Sequence, residues 1–298
     1  MISSGSLSFL VCVLLSLQAA PLSASIALTQ PDGSELLLDA PARSVVTLSP
    51  HLAELVFAAG GGSRLAATVA FSEFPPEAAD VTRIGDAFRL DIERIVALRP
   101  DLVIAWQSGN PQAAVAQLRS LGLAVWSVEI REPEEIPAVI QSIGRAVGTS
   151  SSAEEKAAAL RHQLAALAAR YRDARRVDYF YQVDAKPLFT ISGKHLISKG
   201  LHMCGGHNVF EDETGLAFQV SHEAVIVANP RVIFAPSQKG GGDPLKTWRA
   251  WPGLEAVRNG SLFVLPADEI SRATPRFLDA LETACALLDG SRKAQQHE

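Results

Sequence analysis

The chain has 298 residues, 48% of them hydrophobic and 20% charged, enough to bury a sizeable core and to form two domains of ordinary size. Its 27 basic and 32 acidic residues leave a net charge of −5 with no long basic block, which excludes nucleic acid as the partner. The same composition excludes a disordered or fibrous chain.

Residues 1–25, "MISSGSLSFLVCVLLSLQAAPLSAS", contain no charge, hold an apolar run over 7–17 and end in small residues around Ala24 and Ser25. They read as a secretory signal peptide cleaved near that point, since the run is far shorter than the ~20 residues of a membrane span. Cys12 lies inside the run behind bulky Val11, which argues against lipid modification. With the signal removed, Cys204 and Cys285 remain in an exported chain, and they are candidates for one disulfide. A metal cluster is the competing reading, because "HMCGGH" gathers His202, Cys204 and His207.

Next, "IALTQPDGSELLLDA" predicts a β-hairpin around Pro-Asp-Gly, "SVVTLSP" a short buried strand, and "HLAELVFAAGGG" a helix stopped by glycines. Strands and helices alternate from there to about Gly148, which predicts an α/β lobe with a mostly parallel sheet. In "SSSAEEKAAALRHQLAALAARYRDARR", Ser151 and Ser152 each precede a Glu by three residues, a capping-box pattern ahead of strong helix formers. Leu160, Leu164, Leu167 and Tyr171 share one stripe of this helix, expected over 152–172. At ~1.5 Å per residue it reaches roughly 30 Å, enough to bridge two lobes.

The alternation then repeats with "VDYFYQV", "PLFTIS", a helix near 196–204, "LFVLP" and a last helix over about 275–288. The Gly- and Pro-rich segment "QKGGGDPLKTWRAWPG" is expected to be an exposed loop, and the tail "SRKAQQHE" to fray. The expected organisation is signal 1–25, first lobe 26–150, linking helix 151–174, second lobe 175–292 and polar tail 293–298.

One unit occurs in both lobes: "DIERIVALRPDLVIAW" (91–106) and, more weakly, "SHEAVIVANPRVIFAP" (221–236). Each has a capping residue, a Glu two places on (Glu93, Glu223), an apolar turn, a Pro and a β-like run. A carboxylate in a first helical turn complements the dipole by ~0.3–1 kcal/mol. A matched pair on one face also suits two basic pockets of a symmetric partner.

With "VVTLSPHLAEL", "FSEFPPEA", "DIERIVALRPDLVIAWQSGN", "PLFTISGKHLI", "CGGHNVF", "QVSHEAVI" and "SRATPRF" in this order, the chain resembles periplasmic binding proteins of ABC importers whose two Rossmann-like lobes are joined by one long helix (class III). Within them it is similar to the cobalamin-binding proteins of the BtuF type, over nearly the whole mature chain. The "ERIVALRPDLVIAW" and "CGG" matches are specific to that group, whereas the strand and helix pattern alone fits any class III member. The resemblance implies a periplasmic monomer that captures a corrinoid between its lobes and hands it to a permease dimer. It implies docking through Glu93 and Glu223, and a disulfide between Cys204 and Cys285. Cobalamin is then cargo, and no resident cofactor, metal or catalysis is implied.

Strand-end positions supply the candidate ligand set: Pro50, His51, Phe71, Phe88, Trp106, Gln107, Phe189, Phe218, Asp268 and Arg272. A corrin needs aromatic and apolar faces with a few polar groups for its amides. By resemblance, Phe71 matches a family tyrosine, Trp106 a tryptophan, and Asp268 with Arg272 a polar pair. Two family tryptophans are replaced, aligning at Ala87 beside Phe88 and at Ala217 beside Phe218, where the neighbouring phenylalanines are placed to substitute. His51 is a further departure. With Glu54 three residues on it makes half of a conceivable metal site, so haem, cobinamide and an iron–siderophore are the alternative cargoes. A secreted hydrolase is the contrasting class, but the chain has no G-x-S-x-G, Walker or dinucleotide glycine motif.

Overall fold

A computed structural model describes residues 25–237 and 240–294. All of the signal segment but its last residue, with Cys12, and the end of the tail at 295–298 lie outside the described residues. The first lobe opens with the antiparallel hairpin β1 (Ile26–Thr29) and β2 (Glu35–Leu38). Gly33 in its turn has φ 83°, the left-handed region that favours glycine. The hairpin is tied to the lobe by the Trp126 indole N–H, which donates to the Thr29 carbonyl at 2.9 Å.

Then follow β3 (Val45–Thr47), α1 (Pro50–Ala58), β4 (Leu65–Thr68), β5 (Thr82–Arg83), α2 (Ile92–Leu98), β6 (Leu102–Trp106), α3 (Gln112–Ser120), β7 (Val125–Val128) and α4 (Glu135–Val147). The strands form a parallel sheet in the order β5-β4-β3-β6-β7. Helices cover both faces, so β3 and β7 are buried throughout and β6 everywhere but Trp106, as continuous apolar runs require.

The long helix α5 spans Ser150–Tyr171. It begins two residues before the expected start. Thr149 is its N-cap without a side-chain cap bond, and the Thr149 hydroxyl instead donates to the Ala59 carbonyl at 2.7 Å. Glu154 is therefore not a capping-box partner; it pairs with Arg161 across the helix surface at 2.6 Å. The stripe Leu160, Leu164, Leu167 and Tyr171 is buried, packing against core residues of both lobes.

The second lobe comprises β8 (Val177–Ala185), β9 (Leu188–Ile191), α6 (Leu196–Met203), β10 (Gly206–Asn208), β11 (Ala217–Gln219), α7 (His222–Ala228), β12 (Val232–Pro236), α8 (Lys246–Arg249), α9 (Glu255–Arg258), β13 (Leu262–Leu265), α10 (Ala267–Ile270) and α11 (Pro275–Ala294). Its sheet runs β11-β9-β8-β12-β13, with β10 also pairing β8. Strands β8, β10, β12 and β13 pair in parallel, while β9 and β11 are antiparallel additions. The last helix continues past its expected end, and Lys293, assigned to the tail, lies within it and pairs with Asp289 at 2.8 Å.

Cys204, just beyond α6, is bonded to Cys285 on α11, with Cα atoms 5.6 Å apart. That bond consumes the thiolate a metal cluster with His202 and His207 would need, and the His207 ring is held between Asp178 and Glu211. The segment expected to be an exposed loop is partly core. Leu245 and Trp248 are fully buried beside Phe180, and the Trp248 indole N–H donates to Gln182 Oε1 at 2.7 Å. Two apolar side chains among glycines and prolines suffice to seat the segment on the sheet.

Candidate ligand-binding cleft

In parallel sheets the carboxyl ends of the strands carry the loops that line a ligand crevice. Here such loops from both lobes enclose a cavity of about 260 Å³. The first lobe contributes Pro50 and His51 at the start of α1, Trp106 at the end of β6 with Ser108 beyond it, and Glu129, Ile130 and Arg131 after β7. Facing them are Lys194, His195 and Leu196 at the start of α6, Leu216, and Ser271, Arg272 and Ala273 after α10.

Asn110 organises the first wall. Buried among three loops, its carbonyl accepts from the Trp106 amide at 2.6 Å, and its amide donates to the Leu48 and Ala87 carbonyls at 2.8 and 2.9 Å. It thereby joins the loops that carry His51, Phe88 and Trp106. Gly109 permits the Trp106 ring to lie flat on this turn, since a Cβ there would come within 1.9 Å of the ring. The His51 ring meets Trp106 edge-on with centroids 5.2 Å apart, and its Nδ1 bonds the Ser49 hydroxyl at 2.9 Å. Burial, and secondarily the positive charge of Arg272, push His51 down to about 3. On the facing wall, His195 caps α6: its Nδ1 accepts from the Ile197 amide at 3.2 Å, and burial lowers its pKa to about 4. Both imidazoles are neutral near pH 7.

Of the residues expected at the site, Pro50, His51, Trp106 and Arg272 line the cavity. Asp268 stands behind Arg272, accepting from its guanidinium at 2.7 Å. Gln107 is next to the wall, its backbone N–H donating to the Val128 carbonyl at 3.0 Å. Phe71 and Phe88 do not line this space; they are 57% and 70% exposed, on loops after β4 and β5. Phe189 on β9 lies opposite Gln219 of β11, and neither it nor Phe218 is in the cavity wall. Phe218 packs edge-on against Phe210, which packs on Phe180 in the core.

The structure also separates Glu54 from His51 in function. Glu54, 2% exposed on α1, accepts two hydrogen bonds from the Arg276 guanidinium of α11, at 2.9 and 2.8 Å. Arg276 also lies over the Phe74 ring, 4.1 Å from its centre. This pair ties the lobes together, so Glu54 is not part of a metal half-site. A second hollow, of about 690 Å³, opens along the same seam beside Glu54, Phe57, Phe74 and Arg276. It lacks the convergence of strand-end loops that marks the first.

Residues that sequence reasoning passed over include Asn110, Glu129, Arg131, Lys194 and His195. The polar turn after Trp106 pointed to Asn110, but no local pattern marks the others. The expected docking residues lie away from the cleft, on matching helices. Glu93 is exposed in the first turn of α2, where Asp91 accepts from the Arg94 amide at 3.0 Å. Glu223 is exposed in the first turn of α7, where Ser221 accepts from the Ala224 amide at 3.2 Å. Both helices end in a left-handed residue, Arg99 and Asn229, ahead of a proline and the next strand.

Two α/β lobes closing a cleft over one long helix define a bilobal substrate-binding protein of class III. The chain belongs to the periplasmic binding protein family, whose profile matches residues 45–269. It is 35% identical to the vitamin B12-binding protein of Vibrio cholerae serotype O1 over 254 residues, covering 85% of this chain and 91% of that one. A vitamin B12-binding protein of Vibrio parahaemolyticus is also 35% identical, over 82% of this chain and 89% of its own length. The crystal structure of periplasmic vitamin B12-binding protein BtuF of Vibrio cholerae superposes with a TM-score of 0.79, covering 85% of this chain and 99% of that one. The fold is shared more widely: the periplasmic haem-binding protein BhuT, 20% identical, has a TM-score of 0.75 over 85% of this chain and 99% of its own.

Proposed function

We propose that this protein captures cobalamin between its lobes in the periplasm and delivers it to an ABC importer without covalent chemistry. The observation that carries the reading is an inter-lobe cleft walled by Trp106 and His51, with the exposed rings of Phe71 and Phe88 on loops of the same lobe. Exposed aromatic rings beside a concave site provide apolar faces for a large planar ligand. The 35% identity to vitamin B12-binding proteins supports a corrinoid over other cargoes of this fold. The enclosed space, about 260 Å³, is below the ~300–1,000 Å³ of ordinary ligand sites, so the lobes part to admit a corrin and close on it. Arg272 is assigned to the cleft wall, and Gln107, Phe189, Phe218 and Asp268 to the opened cleft's periphery.

The test is a fluorescence titration with cyanocobalamin. Trp106 lies in the wall, so saturable quenching is expected, reduced by more than half in Trp106→Phe. Absence of quenching at high micromolar ligand overturns the corrinoid reading. Haem is the second reading, because His51 presents a neutral imidazole to the cleft, and imidazole is a common haem ligand. Haem ligation by His51 would shift the Soret band, and His51→Ala would remove the shift. We assign Glu93 and Glu223 to docking on the permease dimer, with the binding protein acting as a monomer.

A further inference from the structure

Three cationic side chains, Arg131, Lys194 and Arg272, line the cleft against one carboxylate, Glu129. Arg131 and Lys194 reach it from opposite lobes, after β7 and before α6 respectively. Among the described residues, Lys194 has no carboxylate partner; its ammonium touches only the Thr214 carbonyl, at 3.2 Å. Arg131 has only a distant one, its Nε lying 3.9 Å from Glu129. That carboxylate is already engaged, accepting from the Ser108 amide at 3.0 Å and the Ser108 hydroxyl at 3.1 Å. Arg272 is balanced by Asp268. His195 adds a neutral donor: its Nδ1 is occupied as an acceptor from Ile197, so the proton of the neutral ring sits on Nε2. Two under-neutralised cations and an N–H donor thus share a cleft in a chain whose net charge is −5.

We infer that Arg131 and Lys194 form an oxyanion clamp across the cleft and that, given the corrinoid reading above on which this assignment rests, the group they hold is the phosphodiester of the ligand's nucleotide loop. An anionic oxygen held between cations on the two facing walls gains charge-assisted hydrogen bonds from both. The clamp therefore favours closure on complete corrinoids over cobinamide, which has the same ring and amides but no phosphodiester.

The experiment titrates the full chain with cyanocobalamin and with dicyanocobinamide, at low and high salt, in the wild type and in the double variant Arg131→Gln, Lys194→Gln. Both side chains are exposed, and thermal melts check that the variant folds. The wild type is expected to bind cyanocobalamin about tenfold more tightly than dicyanocobinamide, equivalent to about 1.4 kcal/mol. That preference should shrink in high salt and vanish in the variant, whose dicyanocobinamide affinity stays within about twofold of wild type. Equal wild-type affinities for the two corrinoids, or a preference that the variant retains, would overturn the clamp and leave the cobalamin reading standing. Binding of neither corrinoid would overturn that reading and with it the phosphodiester. A haemin arm then tests the other oxyanion source: affinity that depends on Arg131 and Lys194 would keep the clamp for carboxylates, and independence would remove it altogether.

Discussion

His51 illustrates how one side chain is set by its surroundings. Burial, and secondarily the nearby charge of Arg272, keep its ring neutral, with a pKa pushed down to about 3, while Trp106 and the Ser49 hydroxyl fix its position. An unfolded histidine titrates near 6.5. Below that pH the unfolded chain takes up a proton that the folded chain refuses, so His51 makes the fold less stable as pH falls from about 6.5 toward 3. The slope is up to about 1.4 kcal/mol per pH unit for one such group. His195, lowered to about 4 by burial, acts in the same direction. Urea midpoints measured at about pH 6.5, 5.5 and 4.5, one-unit steps across this window, are expected to fall with acid in the wild type, and less steeply in His51→Gln. Parallel profiles would show that His51 is not the buried neutral group. Trp106 was legible in the sequence because it ends an apolar strand and starts a polar turn. Arg131 and Lys194 were not, because their importance arises from a partner across the cleft, more than 60 positions away.

At the scale of elements, α2 and α7 are two copies of one design: a side-chain cap, a first-turn glutamate, one buried aliphatic residue and a left-handed stop. The carboxyl of Glu223 is held below the usual range by hydrogen bonds from its own backbone amide and from Ser221, a helix-start effect that operates whether or not a partner is present. The double reversal Glu93→Arg, Glu223→Arg discriminates the roles. It is expected to abolish cobalamin uptake in cells while leaving the solution affinity within about twofold, since neither glutamate lines the cleft. Unchanged uptake would leave the helix dipole as the whole explanation. The start of α5 shows why local pattern has limits. Two serines each offered a capping box, yet the helix begins at Ser150 because Thr149 turns its hydroxyl to the Ala59 carbonyl and ties the chain to the end of α1.

For the whole molecule, the decisive contact is the Glu54–Arg276 pair between lobes, reinforced by Phe74 beneath the guanidinium. A more exposed pair, Glu132–Lys199 at 3.2 Å, spans the lobes at a second point. The linking helix is fastened to the second lobe by Gln163 of α5, which donates to Asp279 of α11 at 3.1 Å. Removing one partner from a buried pair leaves an uncompensated charge at a cost of ~3–5 kcal/mol; Arg276 is only partly buried, which puts the expected cost near the lower end. Glu54→Gln is therefore expected to lower the melting temperature and, in small-angle scattering, to enlarge the ligand-free radius of gyration, with cobalamin restoring compactness. A wild-type profile on both measurements would mean that the seam is held by packing alone.

The sequence by itself determined the main strands and helices, the two lobes, the long helix between them and the doubled helix–strand unit, but not the short elements β10, β11, α8, α9 and α10. Each of these depends on apolar period, caps and breakers that act over a few neighbouring residues. It also narrowed the disulfide to Cys204 and Cys285, which the structure joins. Only the tertiary structure decided that Leu245 and Trp248 enter the core from an otherwise exposed segment, that Glu54 belongs to Arg276 and not to His51, and that donors from both lobes converge on one cleft. Burial of a charge and the facing of two cations depend on which distant segments meet, and no local pattern carries that information.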